Sequence, residues 1–220
     1  MGVEHLNRFS QSSTKSAWLS LLWLAAVPIL NIFYGILNRP GDHVYSLATT
    51  LDPMIPFIPS FIIPYVLWYP FITGALIALA FKNKRTYFQT LIALCSGLVI
   101  SYIFFALFQT AIERPNIQDK EGFLYTMVNY IYRNDQPYNC FPSIHVLTSY
   151  LILRGTRVFG RVIWAMTSTL SILIMMSTVL VKQHVVVDIA GGILVGELCF
   201  QLAGITLYSL STHVKSIRLE

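Results

Sequence analysis

Two histidines and an aspartate are the residues best suited to chemistry: His145 in NCFPSIHVLTS, and His184 with Asp188 in VKQHVVVDIAGG. On a helix, a spacing of four puts His184 and Asp188 on one face, about 6 Å apart along the axis. An aspartate in that position accepts one ring N–H. It thereby fixes the tautomer, leaves the other nitrogen free, and stabilises an imidazolium or a covalent adduct. Arg114 offers a rigid, permanently charged fork that suits phosphate oxygens. Phe141-Pro142-Ser143 reads as the opening of a helix whose free N–H groups and positive dipole end favour an anion. Ser143 adds a hydroxyl there, and Lys182, two residues before His184, adds a cation. Brought together, these groups would transfer a phosphoryl group. One histidine attacks phosphorus, the other protonates the leaving oxygen, and the cations stabilise the equatorial oxygens.

Each residue also has a plainer reading. His145 is then a satisfied interior residue, and His184–Asp188 a structural hydrogen bond at a helix start. Arg114 becomes a membrane-boundary anchor and Ser143 an N-cap. No metal and no cofactor are expected. Asp42, Asp52, Glu113, Asp119, Glu121 and Asp135 have no ligand spacing. Cys95, Cys140 and Cys199 are an odd number without metal-like spacing, and imply no disulfide framework.

The elements that must position these groups are written in the composition. The 220 residues are 55% hydrophobic and 11% charged, with a mean hydropathy of +0.62; soluble domains carry roughly 25% charge. No charge interrupts Ala17–Leu37, Pro53–Phe81, Thr86–Ile112 or Val162–Val181, and Val185–Thr212 holds only Asp188 and Glu197. A bilayer crossing needs about 20 apolar residues. A shorter run, Pro142–Leu153, must continue as helix to Phe159, with Arg154 and Arg157 snorkelling to the surface. The reading is an all-α integral membrane protein with six transmembrane helices in one bundle. It divides into an N-terminal arm (1–16), a membrane catalytic domain (17–212) with an outer loop at about 113–139, and a tail (213–220).

Lys and Arg near short loops mark the cytoplasmic side. Arg8, Lys15, Lys82, Lys84, Arg85, Arg154, Arg157, Arg161, Lys215 and Arg218 fall on one side, and Arg39, Arg114, Lys120, Arg133 and Lys182 on the other. Both termini are therefore expected to be cytoplasmic, with His145 and His184 on the outer face. The basic balance follows from topology and gives no reason to expect nucleic acid. A short chain without targeting segments suits a bacterial plasma membrane. Glu197, half a turn out of phase with Asp188, is read as an interhelical contact, and Gly192 with Gly196 as a tight-packing Gly-x-x-x-Gly.

At these residues the chain resembles the type 2 phosphatidic acid phosphatase superfamily of membrane phosphatases and phosphotransferases. FPSIH resembles that family's Pro-Ser-x-His motif, HVVVD the end of its His-x-x-x-Asp motif, and Arg114-Pro115 the end of its first motif. The resemblance spans roughly residues 50–200. It implies His184 as nucleophile, Asp188 as its partner, His145 as general acid, and Arg114 and Ser143 as phosphate ligands. Leu107 stands where the family has Lys, and Thr178, after a matching Ser177, where it has Arg; Lys182 is the candidate substitute for one lost cation. The reduced motif and IPFIPSFIIPY look more like the inositol phosphorylceramide synthase branch. The expected function is hydrolysis of a lipid phosphate or diphosphate through a phosphohistidine. The alternatives are transfer of a phospho-headgroup to a lipid alcohol, and a non-catalytic membrane binding or transport protein.

Overall fold

The computed structural model describes residues 16–217, with side chains to residue 212. The expected arm, apart from Ser16, and the end of the expected tail lie outside these residues, as do Arg8, Lys15 and Arg218. Helix α1 is Ser16–Leu37, with a 3-10 turn at Leu22–Ala25. Helix α2 is Ile62–Lys82, led in by a 3-10 turn at Pro59–Phe61, where proline's missing N–H has no intrahelical partner to lose. Helix α3 is Lys84–Leu107, capped by the Asn83 side chain, and α4 is Phe123–Asn134. Helix α5 is Ile144–Gly155, continued by a 3-10 turn at Thr156–Phe159. Helices α6 and α7 are Arg161–Leu180 and Val186–Ile217.

The chain is all-helical among the described residues, with five helices long and apolar enough to cross a membrane: Ser16–Leu37, Pro59–Lys82, Lys84–Leu107, Arg161–Leu180 and Val186–Thr212. The sixth expected span is α5, and its geometry differs from expectation. Regular helix stops at Gly155, after about 18 Å of rise, and the 3-10 turn adds roughly 8 Å. Burial accounts for the shortness. Helix α5 is enclosed by α2, α3, α6 and α7, with Val146, Leu147, Ser149, Leu151 and Ile152 fully buried. A helix sheathed by longer neighbours need not span hydrocarbon alone. The third apolar run also ends early, since residues 108–112 leave the helix and pair as isolated bridges, Tyr45 with Thr110 and Ala111 with Tyr138.

The outer ring of the bundle is apolar. Leu22, Ile32, Ile36, Ile63, Ile103, Val162, Met166, Leu194, Leu202 and Ile205 are all exposed. Apolar surface of this extent fits hydrocarbon as its solvent. Two buried clusters lie inside: a large one along α2, α3, α5 and α7, and a smaller one around Ile62, Tyr65, Ile117, Val128 and Val181 beneath α4. Arg154 pairs with Glu197, which also accepts from the Tyr150 hydroxyl at 2.7 Å, so Glu197 makes the interhelical contact expected of it.

Three connections, 38–61, 108–143 and 181–185, gather at one end of the bundle, the end that carries the histidines. Gln109 ties the first two together. Its Nε2 donates to the carbonyls of Leu37 (3.2 Å) and Arg39 (2.8 Å) and to Asn139 Oδ1 (3.1 Å), while its Oε1 accepts from Gly41 N–H at 2.8 Å. Beneath this layer α7 crosses the start of α5 at Gly191 and Gly192. A Cβ on Gly191 would meet the Phe141 ring, and one on Gly192 would lie 2.7 Å from the Ser143 carbonyl oxygen. Gly196 continues the contact along Leu147 and Tyr150.

Because the atom facing Gly192 is backbone, it has little freedom to yield. Gly192→Ala is expected to destabilise the fold by about 1–3 kcal/mol through overpacking, seen as a lower melting midpoint in detergent. Gly35→Ala, where a Cβ meets nothing within 4 Å, is the matched control and should melt like the parent.

Candidate active site

Asp188 lies in the first turn of α7 and is fully buried. Its Oδ2 accepts from Val185 N–H at 3.0 Å and faces His184 Nδ1 at 3.2 Å. The sequence expectation put both residues on one helix; the structure corrects this. Helix α7 begins only at Val186, and His184 sits in the turn before it, held by N–H bonds from Gln183 and His184 to the Thr178 carbonyl. The pair meets because the Asp188 carboxylate reaches back over the helix start, as N-terminal acids do to satisfy free N–H groups. His184 lines the cavity described below, and with Nδ1 engaged by Asp188, Nε2 is the nitrogen left for it.

His145 is the second residue of α5, in its first turn. Ser143, rather than Phe141 or Pro142, marks the start, and its Oγ accepts from Val146 N–H at 3.4 Å as an N-cap. The Ser143 N–H donates to the Asp188 carbonyl at 3.2 Å, which couples the starts of α5 and α7. The His145 ring stacks on Tyr65, with centroids 4.5 Å apart, and against Trp68 at 4.2 Å. Trp68 in turn donates to the Thr148 hydroxyl at 2.7 Å. The two histidine rings are 6.2 Å apart, and His145 Nε2 is buried without a partner.

Arg114 is brought to the same end. Its Nη1 donates to the carbonyls of Tyr132 (3.2 Å) and Asp135 (2.8 Å), its Nη2 to Gln183 Oε1, and its plane lies over the Tyr132 ring at 4.5 Å. Only Nε has no partner, although it is buried. Arg114 thus ties α4 to the 181–185 turn, an attachment doubled by the Tyr132 hydroxyl on the Val181 carbonyl at 2.7 Å. Burial, only partly opposed by Arg114, pushes that phenol up to about 12, so it remains a donor.

Lys182 is not brought to the histidines. At a positive φ of 52°, its Nζ donates to the carbonyls of Asp52 (3.0 Å) and Ile55 (2.6 Å). A cation two residues from His184 in sequence therefore serves the neighbouring loop, and the placement expected for it is corrected.

Beside the histidines is a cavity of about 510 Å³ lined by Tyr34, Tyr65, Trp68, Tyr69, Asn31, Asn134, Asp135, Asn139, His145 and His184 among others. Asp135 accepts from the Tyr34 hydroxyl (2.6 Å), Asn38 Nδ2 (2.9 Å) and the Tyr65 hydroxyl (3.4 Å). Two further hollows, both touching Asn31, continue it down the cleft between α1 and α2, past Val27, Ile72 and Thr73. Helix α1 packs on α3 and scarcely touches α2, which leaves that cleft open to the side.

Sequence reasoning missed Asn139, Gln183 and Asp135. Asn139 Nδ2 and Gln183 Nε2 are buried donors without partners, like Arg114 Nε. An amide beside each motif was the only available signal, and amides are common in loops. Cys140 was missed as a neighbour of the pair. Its Sγ, a His184 ring nitrogen and an Asp188 carboxylate oxygen lie within 4.8 Å of one another. Burial first, and then the charge of Asp188, push the Cys140 thiol well up. No protein-family model, curated protein or solved structure matches the chain.

Asp52 fixes the α7 start from outside: its Oδ1 accepts from Val186 N–H at 2.8 Å and its Oδ2 from Thr49 N–H at 2.6 Å. Partial burial raises its pKa, but these bonds, with the Thr49 hydroxyl and the charge of Lys182, outweigh it and hold the carboxyl below its ordinary value. Its contribution to stability is complete above the unfolded value near 3.9 and is lost as pH falls through the lower folded value. Asp52→Asn is expected to lower the melting midpoint at pH 7 and to reduce the fall in midpoint between pH 5 and pH 3. Equal pH dependence in parent and variant would contradict the contact.

Proposed function

We propose that the protein is a six-span membrane enzyme that removes phosphate from a lipid phosphate or diphosphate through a phosphohistidine at His184. One observation carries the reading. A histidine oriented by a buried aspartate and a second histidine share one cavity, and three buried donors in the surrounding loops, Arg114 Nε, Asn139 Nδ2 and Gln183 Nε2, have no protein partner. Buried donors ordinarily have one, and a phosphoryl group supplies acceptor oxygens for several.

In this reading His184 Nε2 attacks phosphorus while Asp188 keeps Nδ1–H and stabilises the positive ring. The P–O bond to the leaving group breaks, and His145 gives that oxygen a proton. The charge of the bound phosphate favours the protonated His145 ring, and the Tyr65 and Trp68 faces fix its plane. Water then attacks the phosphohistidine, His145 takes its proton, and the N–P bond breaks. Ser143 and Arg114 serve the phosphate oxygens, and Arg114 does so through Nε, because its other nitrogens hold α4 and Gln183. The Lys and Arg distribution supports an extracytoplasmic position for this end of the bundle.

A second reading, transfer of the phospho-headgroup to an alcohol, is favoured by the cavity's supply of Asn31, Asn134 and Asp135. These exceed what one phosphate requires and would suit acceptor hydroxyls.

His184→Ala is expected to lower turnover by roughly 10⁴-fold or more and to abolish acid-labile labelling of the protein by ³²P-substrate. His145→Ala is expected to lose roughly 10²–10⁴-fold, with partial recovery on an aryl phosphate whose leaving group needs no proton. Turnover retained in folded His184→Ala would sink the phosphohistidine reading, and no turnover of any lipid phosphate by the parent would favour a non-catalytic membrane protein. Phosphate release without an added alcohol separates hydrolysis from transfer. Thr73→Trp, which fills the α1–α2 cleft, should weaken long-chain substrates about tenfold, the worth of two buried methylenes, and spare a short-chain one.

A further inference from the structure

Asp188 uses only half of its carboxylate. Oδ2 serves His184 and Val185, whereas Oδ1 is buried in a residue of zero exposure and has no partner. An unpartnered oxygen of a buried charged group is rare and calls for a donor or a cation. Near the Asp188 carboxylate lies the Cys140 thiol, which makes a weak contact of 3.6 Å with the Pro137 carbonyl. A tetrahedral ion with bonds of about 2.0–2.3 Å brings its ligand atoms to roughly 3.3–3.8 Å. The three ligand atoms lie within 4.8 Å of one another, so binding would draw them together by about 1 Å.

We propose that Cys140, His184 and Asp188 bind a thiophilic divalent cation of the zinc class, and that its binding switches the site off. A thiolate, an imidazole and a carboxylate together select zinc over magnesium or calcium. The thiol proton leaves to solvent as the S–metal bond forms, and the fourth position is left for water or an anion. Bound there, the ion takes the carboxylate and a ring nitrogen that phosphoryl transfer needs. The effect on turnover rests on the phosphohistidine reading; the binding does not.

The probe is Co²⁺ added to the purified full chain in detergent. The parent is expected to give a thiolate-to-cobalt charge-transfer band saturating at one ion per chain. Cys140→Ser should lose the band and bind roughly 10–100-fold more weakly. The Cys95→Ser/Cys199→Ser double variant should keep the band, which excludes the other thiols as ligand, and a melting midpoint of Cys140→Ser equal to the parent's guards against misfolding. Zn²⁺ should then suppress release of phosphate from a lipid phosphate by the parent, and Cys140→Ser should need at least ~10-fold more Zn²⁺ for the same loss. No band in the parent, or a band lost only in the double variant, overturns the site. Turnover unchanged or raised at saturating Zn²⁺ overturns the switch. If no lipid phosphate is turned over at all, the functional reading fails while the Co²⁺ band still decides the site.

Discussion

The backbone of α7 runs against the first turn of α5, and the geometry of the loop-bearing end depends on that approach. Two side-chain-free positions, Gly191 and Gly192, let the Phe141 ring and the Ser143 carbonyl sit against the helix. The Ser143 N–H then reaches the Asp188 carbonyl. From this single crossing follow the burial of Asp188, the position of His184 in the turn before it, and the 6.2 Å separation of the two imidazoles. Close approach needs small residues where hydrophobic driving force between helices is absent, and here it also sets a polar site.

The loops around this crossing are fastened by backbone carbonyls rather than by ion pairs. Lys182 and Tyr132 spend their donors on main-chain oxygens, and Arg114 and Gln109 spend most of theirs there. Such bonds satisfy polar backbone that irregular segments cannot pair internally, and they fix loop shape without forming a charged surface. The side-chain atoms left over, Arg114 Nε, Asn139 Nδ2, Gln183 Nε2 and Asp188 Oδ1, belong to residues of that same layer.

Much of this was legible in the chain. Long uncharged runs announced the helices, because crossing hydrocarbon leaves few other solutions. The His184–Asp188 pairing followed from the spacing of four, although the spacing suggested one helix and the chain uses a turn and a cap. The Gly192–Gly196 contact was legible for the same reason. What could not be read was long-range. Nothing near Lys182 in sequence names Asp52 and Ile55 as its acceptors, 130 and 127 residues away. The hub at Gln109 and the nearness of Cys140 to His184 likewise depend on how three separate loops fold over one another. The end of α5 at Gly155 was hidden because apolar content reports burial, whether the burying medium is lipid or neighbouring helices.

The Arg154–Glu197 contact bears on how such a chain enters a bilayer. Helix α7 carries Asp188 and Glu197, and α5 is short and carries His145 and Arg154. Each charged group adds about 2.5–3.5 kcal/mol to the insertion of an isolated helix. Arg154 cancels Glu197 across the two helices, and Tyr150 and Gln201 complete the carboxylate's shell. Neither helix is well suited to insert first and wait for the other. During synthesis α5 would remain at the translocation machinery until α7 emerged, so the two central helices would enter lipid together, last and already paired.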